Sequence, residues 1–144
     1  MIGQVLIAML AGGVLGFERE LKEKPAGLKT NMLVAGAVCL FVLMGKEMGA
    51  QWVAEFGDRA RLSPERIIEA VMVGVAFVGG GVIIQSKENE KVKNLTTATL
   101  TLFTGAIGMA VALKLYWEVV VLVVVVLGVN VGLGWVEKRW LGTK

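Results

Sequence analysis

An uncharged run of seventeen residues, Met1 to Phe17, opens this chain and is followed at once by Glu18-Arg19-Glu20. As a helix, a run of this length crosses most of the hydrocarbon core of a bilayer. The charges at its end must therefore reach water or be paired inside the protein. The remaining charges are also clustered between long apolar stretches. This pattern predicts a helical membrane protein.

The apolar stretches predict five membrane-spanning helices in one all-α domain covering residues 1–144. Composition agrees, because 56% of the residues are apolar, only 19% are charged and the mean hydropathy is +0.70. Such values are extreme for a soluble chain. We place the spans near residues 2–22, 30–45, 66–85, 95–113 and 116–136.

Local signals refine the connections. The first helix is expected to end near Lys24, because a residue before proline avoids the α region, and Ser63-Pro64 is a favourable helix start. In the predicted outer loop, Met48, Trp52 and Phe56 recur every fourth residue. They predict a short amphipathic helix that either lies at the membrane interface or packs over the bundle.

The distribution of basic residues predicts the orientation. Ten of the fifteen Lys and Arg residues fall on the side of the first and third connections and the carboxyl terminus. By the positive-inside rule that side is cytoplasmic and the amino terminus lies outside. The net charge of +3 reflects this bias and gives no reason to expect nucleic acid as a partner.

Glycine is unusually frequent, with nineteen residues. Pairs of small residues four apart allow helix backbones to approach closely, either within the chain or between two copies. Three successive glycines weaken a helix and are candidates for a bend. The candidate packing or hinge positions are Gly12, Gly16, Gly74, Gly79, Gly80 and Gly81, and Gly128 with Gly132 forms a further small-residue pair.

The charged segment after the first span has two interpretations. Glu18 with Lys22, and Glu20 with Lys24, are favourable i,i+4 pairs on a helix end that reaches water. Alternatively Glu18, two residues beyond a glycine of the span, faces the bundle, where a charge must be paired. The residues alone leave both interpretations open.

Four blocks, in this order and spacing, resemble the MgtC/SapB family: Ala26 to Thr30, Arg66, Gly74 to Gly81, and Leu95 to Ala98. The resemblance extends over nearly the whole chain. The resemblance implies a polytopic helical protein of a prokaryotic cytoplasmic membrane, associated with low magnesium. Members of the family have been linked to membrane partners such as the proton-translocating ATP synthase. Longer members carry a cytoplasmic carboxyl-terminal domain, and we expect this chain to lack it.

The resemblance favours an inward polar site on the cytoplasmic side, formed by Glu18, Arg19, Glu20, Thr30, Asn31, Thr96 and Thr97. Asn31 stands where the family usually has histidine, so a proton-carrying role is not implied at this position. Arg66 and Glu69 form a separate outer polar feature, as partners or as a plain i,i+3 pair. The threonines also have the simpler role of bonding their own helix carbonyls.

Enzyme chemistry has little support, because histidine is absent, Cys39 is the only cysteine and no zinc-site spacing occurs. We therefore expect that this chain is not an enzyme and binds no cofactor. The sequence neither supports nor excludes binding of a hydrated Mg²⁺ ion by the carboxylates of Glu18 and Glu20. Two functions remain: a regulatory or adaptor protein in contact with lipid, a second copy or another membrane protein, and a small oligomeric transporter or channel for cations, protons or a small solute.

Overall fold

The computed structural model describes residues 1–57, 63–84 and 94–140, without the side chains of residues 64, 84 and 133–140. This part of the chain contains five helices and no strand, which confirms the predicted all-helical fold. Several basic residues behind the predicted orientation, at 59, 61, 87, 91, 93 and 144, lie outside the described residues. The helices are α1 (Ile2–Leu21), α2 (Leu28–Phe56), α3 (Pro64–Ile84), α4 (Leu95–Ala112) and α5 (Tyr116–Trp140).

Helices α1 to α4 are each long and apolar enough to cross a membrane, and α5 contributes the shorter apolar stretch Tyr116–Gly132. The two prolines mark helix boundaries as predicted. α1 ends four residues before Pro25, and α3 begins at Pro64, where the Arg66 amide donates to the Ser63 carbonyl at 3.0 Å. Proline is suited to a first helical position because its missing N–H has no partner there.

The predicted separate outer-loop helix is wrong in one respect, because α2 continues without a break from Leu28 to Phe56. No proline interrupts this segment, and it ends at Gly57, whose φ of +59° suits a residue without a side chain. Twenty-nine helical residues span about 44 Å, more than the roughly 30 Å hydrocarbon core. The stripe Met48, Trp52 and Phe56 is more than half exposed, so it does not pack over the bundle.

The core lies where α1, α2 and α4 meet. Helix α4 is central, with 61% of its spanning segment buried, whereas the corresponding value for α3 is 11%. α1 packs most extensively on α2, and α3 packs mainly on α4. The central cluster contains Ala8, Leu15, Ala35, Cys39 and Ile107, all fully buried. Helices α1, α2 and α4 therefore form the well-packed core, and α3 presents most of its surface to the outside of the bundle.

Candidate functional site

Arg19 occupies the end of the three-helix core where α1 ends and α2 and α4 begin. It is only 5% exposed, although it lies in the last turn of its helix. One guanidinium nitrogen, Nη2, donates to the Thr97 hydroxyl at 3.0 Å, and this bond joins α1 to α4. The inward interpretation of the charged segment therefore describes Arg19, whose long side chain reaches a polar partner on another helix.

Asn31 is 1% exposed and links three parts of the site. Its Nδ2 donates to the carbonyl oxygens of Ala26 at 2.6 Å and Gly27 at 2.9 Å, and its Oδ1 accepts from the Thr104 hydroxyl at 2.7 Å. Ala26 has a φ of +56°, which costs a residue with a Cβ about 1–2 kcal/mol. The Asn31 amide thus stabilises a strained turn between α1 and α2 and fastens that turn to α4.

A row of buried threonines on α4 completes the polar cluster. The Thr101 hydroxyl donates to the Thr97 carbonyl at 3.0 Å, and the Thr104 hydroxyl lies 3.0 Å from the Leu100 carbonyl. Both contacts stay within α4, as the simpler interpretation of the threonines proposes. Thr104 has the additional bond to Asn31, across 73 positions of sequence. We call Arg19, Asn31, Thr97, Thr101 and Thr104 the polar cluster.

Two glycines of α1 bring that helix against the polar cluster. A Cβ added at Gly12 would lie 2.5 Å from the Asn31 carbonyl oxygen, and one at Gly16 would lie 2.8 Å from the Gly27 carbonyl oxygen. Real side-chain carbons do not approach backbone atoms this closely, so a larger residue would force α1 and α2 apart. These small residues allow the backbone contact that surrounds Asn31.

The two glutamates of the charged segment have different surroundings. Glu18 is nearly buried and forms an ion pair with Lys22, one turn later, but neither of its carboxylate oxygens accepts an aligned hydrogen bond. Glu20 is exposed, and its Oε2 accepts from the Leu28 amide at 2.9 Å. The carboxylate thereby caps α2, whose first amides carry partial positive charge. The Glu18 and Glu20 carboxylates therefore contact different groups.

Several predicted site residues lie outside the polar cluster. Thr30 and Thr96 are exposed at the starts of α2 and α4, beside the buried Asn31 and Thr97. Arg66 and Glu69 are both exposed on α3, and they form no ion pair with each other. Within the described side chains, no group of three His, Cys, Asp or Glu residues is placed to hold a metal ion.

The glycines of α3 do not break the helix, which is continuous from Pro64 to Ile84. A Cβ at Gly79 would lie 3.4 Å from the Ala98 carbonyl oxygen of α4, an ordinary contact, whereas Gly74, Gly80 and Gly81 have open space beside them. The same is true of Gly128 on α5. Gly12, Gly13 and Gly16 of α1 are therefore enclosed by neighbouring residues, whereas Gly3 of α1 and most of the glycines of α3 are not.

No sequence pattern indicated a role for Gln4 or placed Thr104 in the site. The Gln4 side chain donates to the carbonyls of Val111 at 3.0 Å and Ala112 at 3.3 Å, joining α1 to the end of α4 far from the polar cluster. A polar amide in an otherwise apolar first span is a signal that could have identified it. The partner of Thr104 could not be read from local spacing.

Two lateral grooves accompany this core. The first lies between α2 and α3, has a volume of about 670 Å³ and is apolar except for Arg66 at one end. The second lies between α4 and α5, has a volume of about 380 Å³ and includes Thr96 and Asn130. Each includes exposed side chains, such as Phe41 in the first and Val125 in the second, so both open to the outside of the bundle.

The apolar helices, the buried polar cluster and the close glycine contacts define a multi-pass helical membrane protein. The model of the MgtC family matches residues 5–139, and the chain belongs to that family. This confirms the resemblance drawn from the four sequence blocks. No solved structure matches the chain.

Three relatives illustrate the similarity. SapB of Bacillus subtilis is 34% identical over 78% of this chain and 47% of its own length. "Putative magnesium transporter YhiD" of Escherichia coli K12 is 34% identical over 78% of this chain and 51% of its own length. MgtC of Brucella abortus is 33% identical over 85% of this chain and 47% of its own length. The chain thus spans about half the length of these curated relatives.

Proposed function

We propose that this chain is a non-enzymatic regulatory or adaptor protein of a prokaryotic cytoplasmic membrane, acting on membrane partners during magnesium limitation or ion stress. The family and the name of its relative YhiD support the connection with magnesium. The excess of Lys and Arg on one side supports an amino terminus outside the cell and a polar cluster at the cytoplasmic side of the membrane.

The internal pairing of Asn31, Thr101 and Thr104 within the polar cluster is the observation that carries this proposal, although the buried Nε of Arg19 has no hydrogen-bond partner. A conduit requires polar groups or dipoles that line a path and exchange partners with the passing ion. Here the Asn31 side-chain nitrogen donates to backbone carbonyls of the α1–α2 turn, and its side-chain oxygen accepts from the Thr104 hydroxyl. Both ends of the amide are therefore occupied by groups of the protein. Gly12 and Gly16 close the space between α1 and α2. This arrangement supports a fastened core better than an open path.

An open small-residue face on α5 supports association with another membrane helix. Gly128 and Gly132 lie one turn apart, are exposed and have no atom within 4 Å of an added Cβ. In a bilayer, such a pair permits close backbone packing by a helix from outside the bundle. The partner is a second copy or another membrane protein, for which the proton-translocating ATP synthase is one candidate.

A transporter is the second candidate function, and Glu18 is the observation that favours it. Its carboxylate is nearly buried at the end of the bundle and, apart from the ion pair with Lys22, neither oxygen accepts an aligned hydrogen bond. In a membrane protein, a nearly buried charged residue is by default a candidate functional residue. One relative carries a transporter name, which supports the same alternative.

Complementation of growth at low magnesium tests the adaptor proposal. The host is a bacterial strain without its own MgtC-family protein, and the variants are Gly128→Leu and Gly3→Leu. Both glycines have free space beside them, so both variants are expected to fold, but only Gly128 belongs to the open α5 pair. We expect Gly128→Leu to lose complementation and Gly3→Leu to retain it. Equal complementation by both, at equal membrane levels, would refute a role for the α5 face.

A further inference from the structure

The groove between α2 and α3 has the shape and polarity of a site for one lipid chain. Its walls are aliphatic or aromatic, and its depth comes from small residues, Ala37 on α2 and Ala70 with Gly74 on α3. It opens sideways on helices that are apolar enough to cross a membrane. In that setting the surrounding solvent is hydrocarbon, and an empty groove would lose dispersion contacts along its whole lining.

The single charged residue of the groove lies at its end. The lining on α3 runs from Arg66 to Val78, a rise of twelve residues or about 18 Å along the helix. Half of a bilayer's hydrocarbon core is about 15 Å thick. A chain lying in the groove with its tip near the bilayer centre therefore brings its headgroup to Arg66. α3 begins only two residues earlier, at Pro64, which places the guanidinium near the boundary with water.

The charges around Arg66 indicate which headgroup fits. Its guanidinium forms no ion pair within the described side chains and offers the planar fork of donors that suits a phosphate. Glu65 and Glu69 flank it on the same exposed helix end. Two carboxylates beside one guanidinium repel a purely anionic headgroup and attract a cation. The combination is complementary to a phosphate that carries an ammonium group.

We propose that the α2–α3 groove binds one acyl chain of an aminoethyl phospholipid, with the phosphate on Arg66 and the ammonium near Glu69. This site is separate from the polar cluster and from the α5 face, and it goes beyond the adaptor function. Bound lipid would fill the gap between α2 and α3, whose spanning segment is only 11% buried, and it would thereby fix how α3 is held.

Native mass spectrometry of the full chain in detergent, titrated with phosphatidylethanolamine and phosphatidylglycerol of identical acyl chains, tests the proposal. We expect one phosphatidylethanolamine to bind more tightly than phosphatidylglycerol. Loss of a charge-assisted contact in Arg66→Gln should weaken it about tenfold or more. Glu69→Gln should remove the preference between the two lipids.

Two matched pairs of variants separate this site from nonspecific lipid. Gly74→Leu fills the groove, whereas Gly81→Leu adds the same side chain to α3 outside its lining, and neither Cβ has a neighbour within 4 Å. Lys46→Gln removes an exposed charge next to Gly45, where an added Cβ would meet Ile67 of α3, but leaves the groove intact. We expect Gly74→Leu to lose the lipid and both controls to keep it. Equal binding by all variants, or tighter phosphatidylglycerol binding by the native chain, would overturn the proposal.

Discussion

Replacement of Asn31 by alanine should loosen the connection between the α1–α2 turn and α4. The change removes three side-chain hydrogen bonds, two to the carbonyls of Ala26 and Gly27 and one from Thr104. Hydrogen bonds inside membrane proteins contribute about 0.6 kcal/mol each on average, giving about 2 kcal/mol. The Gly27 carbonyl keeps the Asn31 backbone amide as a donor, but that of Ala26 has no other partner among the described hydrogen bonds. Because the Ala26 carbonyl would lose its donor in a strained turn, we expect the free energy of unfolding to fall by about 3 kcal/mol in total.

The assay is the free energy of unfolding in mixed detergent micelles, with Thr30→Ala as the control. Thr30 is the adjacent residue and is exposed, so its truncation should change stability by less than about 0.5 kcal/mol. Thr104→Val, alone and combined with Asn31→Ala, completes a double-mutant cycle with an expected coupling of about 0.6–1.7 kcal/mol. Equal stability of Asn31→Ala and Thr30→Ala would refute the assignment of Asn31 as a fastening residue.

Four further substitutions test the packing, capping and hydrogen-bonding roles. Gly16→Ala should destabilise by about 1–3 kcal/mol because its Cβ meets α2 backbone at 2.8 Å, whereas Gly128→Ala should be neutral or stabilising; their melting temperatures in detergent should move apart. Glu20→Gln should cost about 0.5–1 kcal/mol by weakening the cap of α2, and this loss should shrink at high salt. Thr97→Val should destabilise by about 1–3 kcal/mol because Arg19 loses its hydroxyl partner, and a value near zero would contradict that contact.

Much of the fold could be predicted from the sequence because the bilayer restricts spanning segments to long apolar helices. The positions of α1, α3, α4 and α5 follow from uncharged runs and from Pro25 and Pro64. The extent of α2 did not follow, because the stripe ending at Phe56 has the same period in a separate amphipathic helix and in a continued span. Helical periodicity does not determine where a helix leaves the hydrocarbon.

The polar cluster was only partly predictable. Charge next to an apolar run identified Arg19 as a residue that needs a partner. A family block identified Thr97, and Asn31 was included as the residue that follows another block and departs from the family's histidine. Local spacing could not show that Thr30 and Thr96 point outward while their neighbours point inward, since that depends on how α1, α2 and α4 are rotated against one another. It also could not show which distant hydroxyl completes the Asn31 site.

Flux through the purified full chain in liposomes, under imposed Mg²⁺ and proton gradients, distinguishes an adaptor from a transporter. The comparison includes the native chain, Glu18→Gln and empty vesicles, with folding checked by helix content and monodispersity. We expect the flux of the native protein and of the variant to match that of empty vesicles, because the polar cluster fastens helices together and does not line a path. Flux by the native chain that disappears in Glu18→Gln would contradict the adaptor proposal and establish transport through the charged segment.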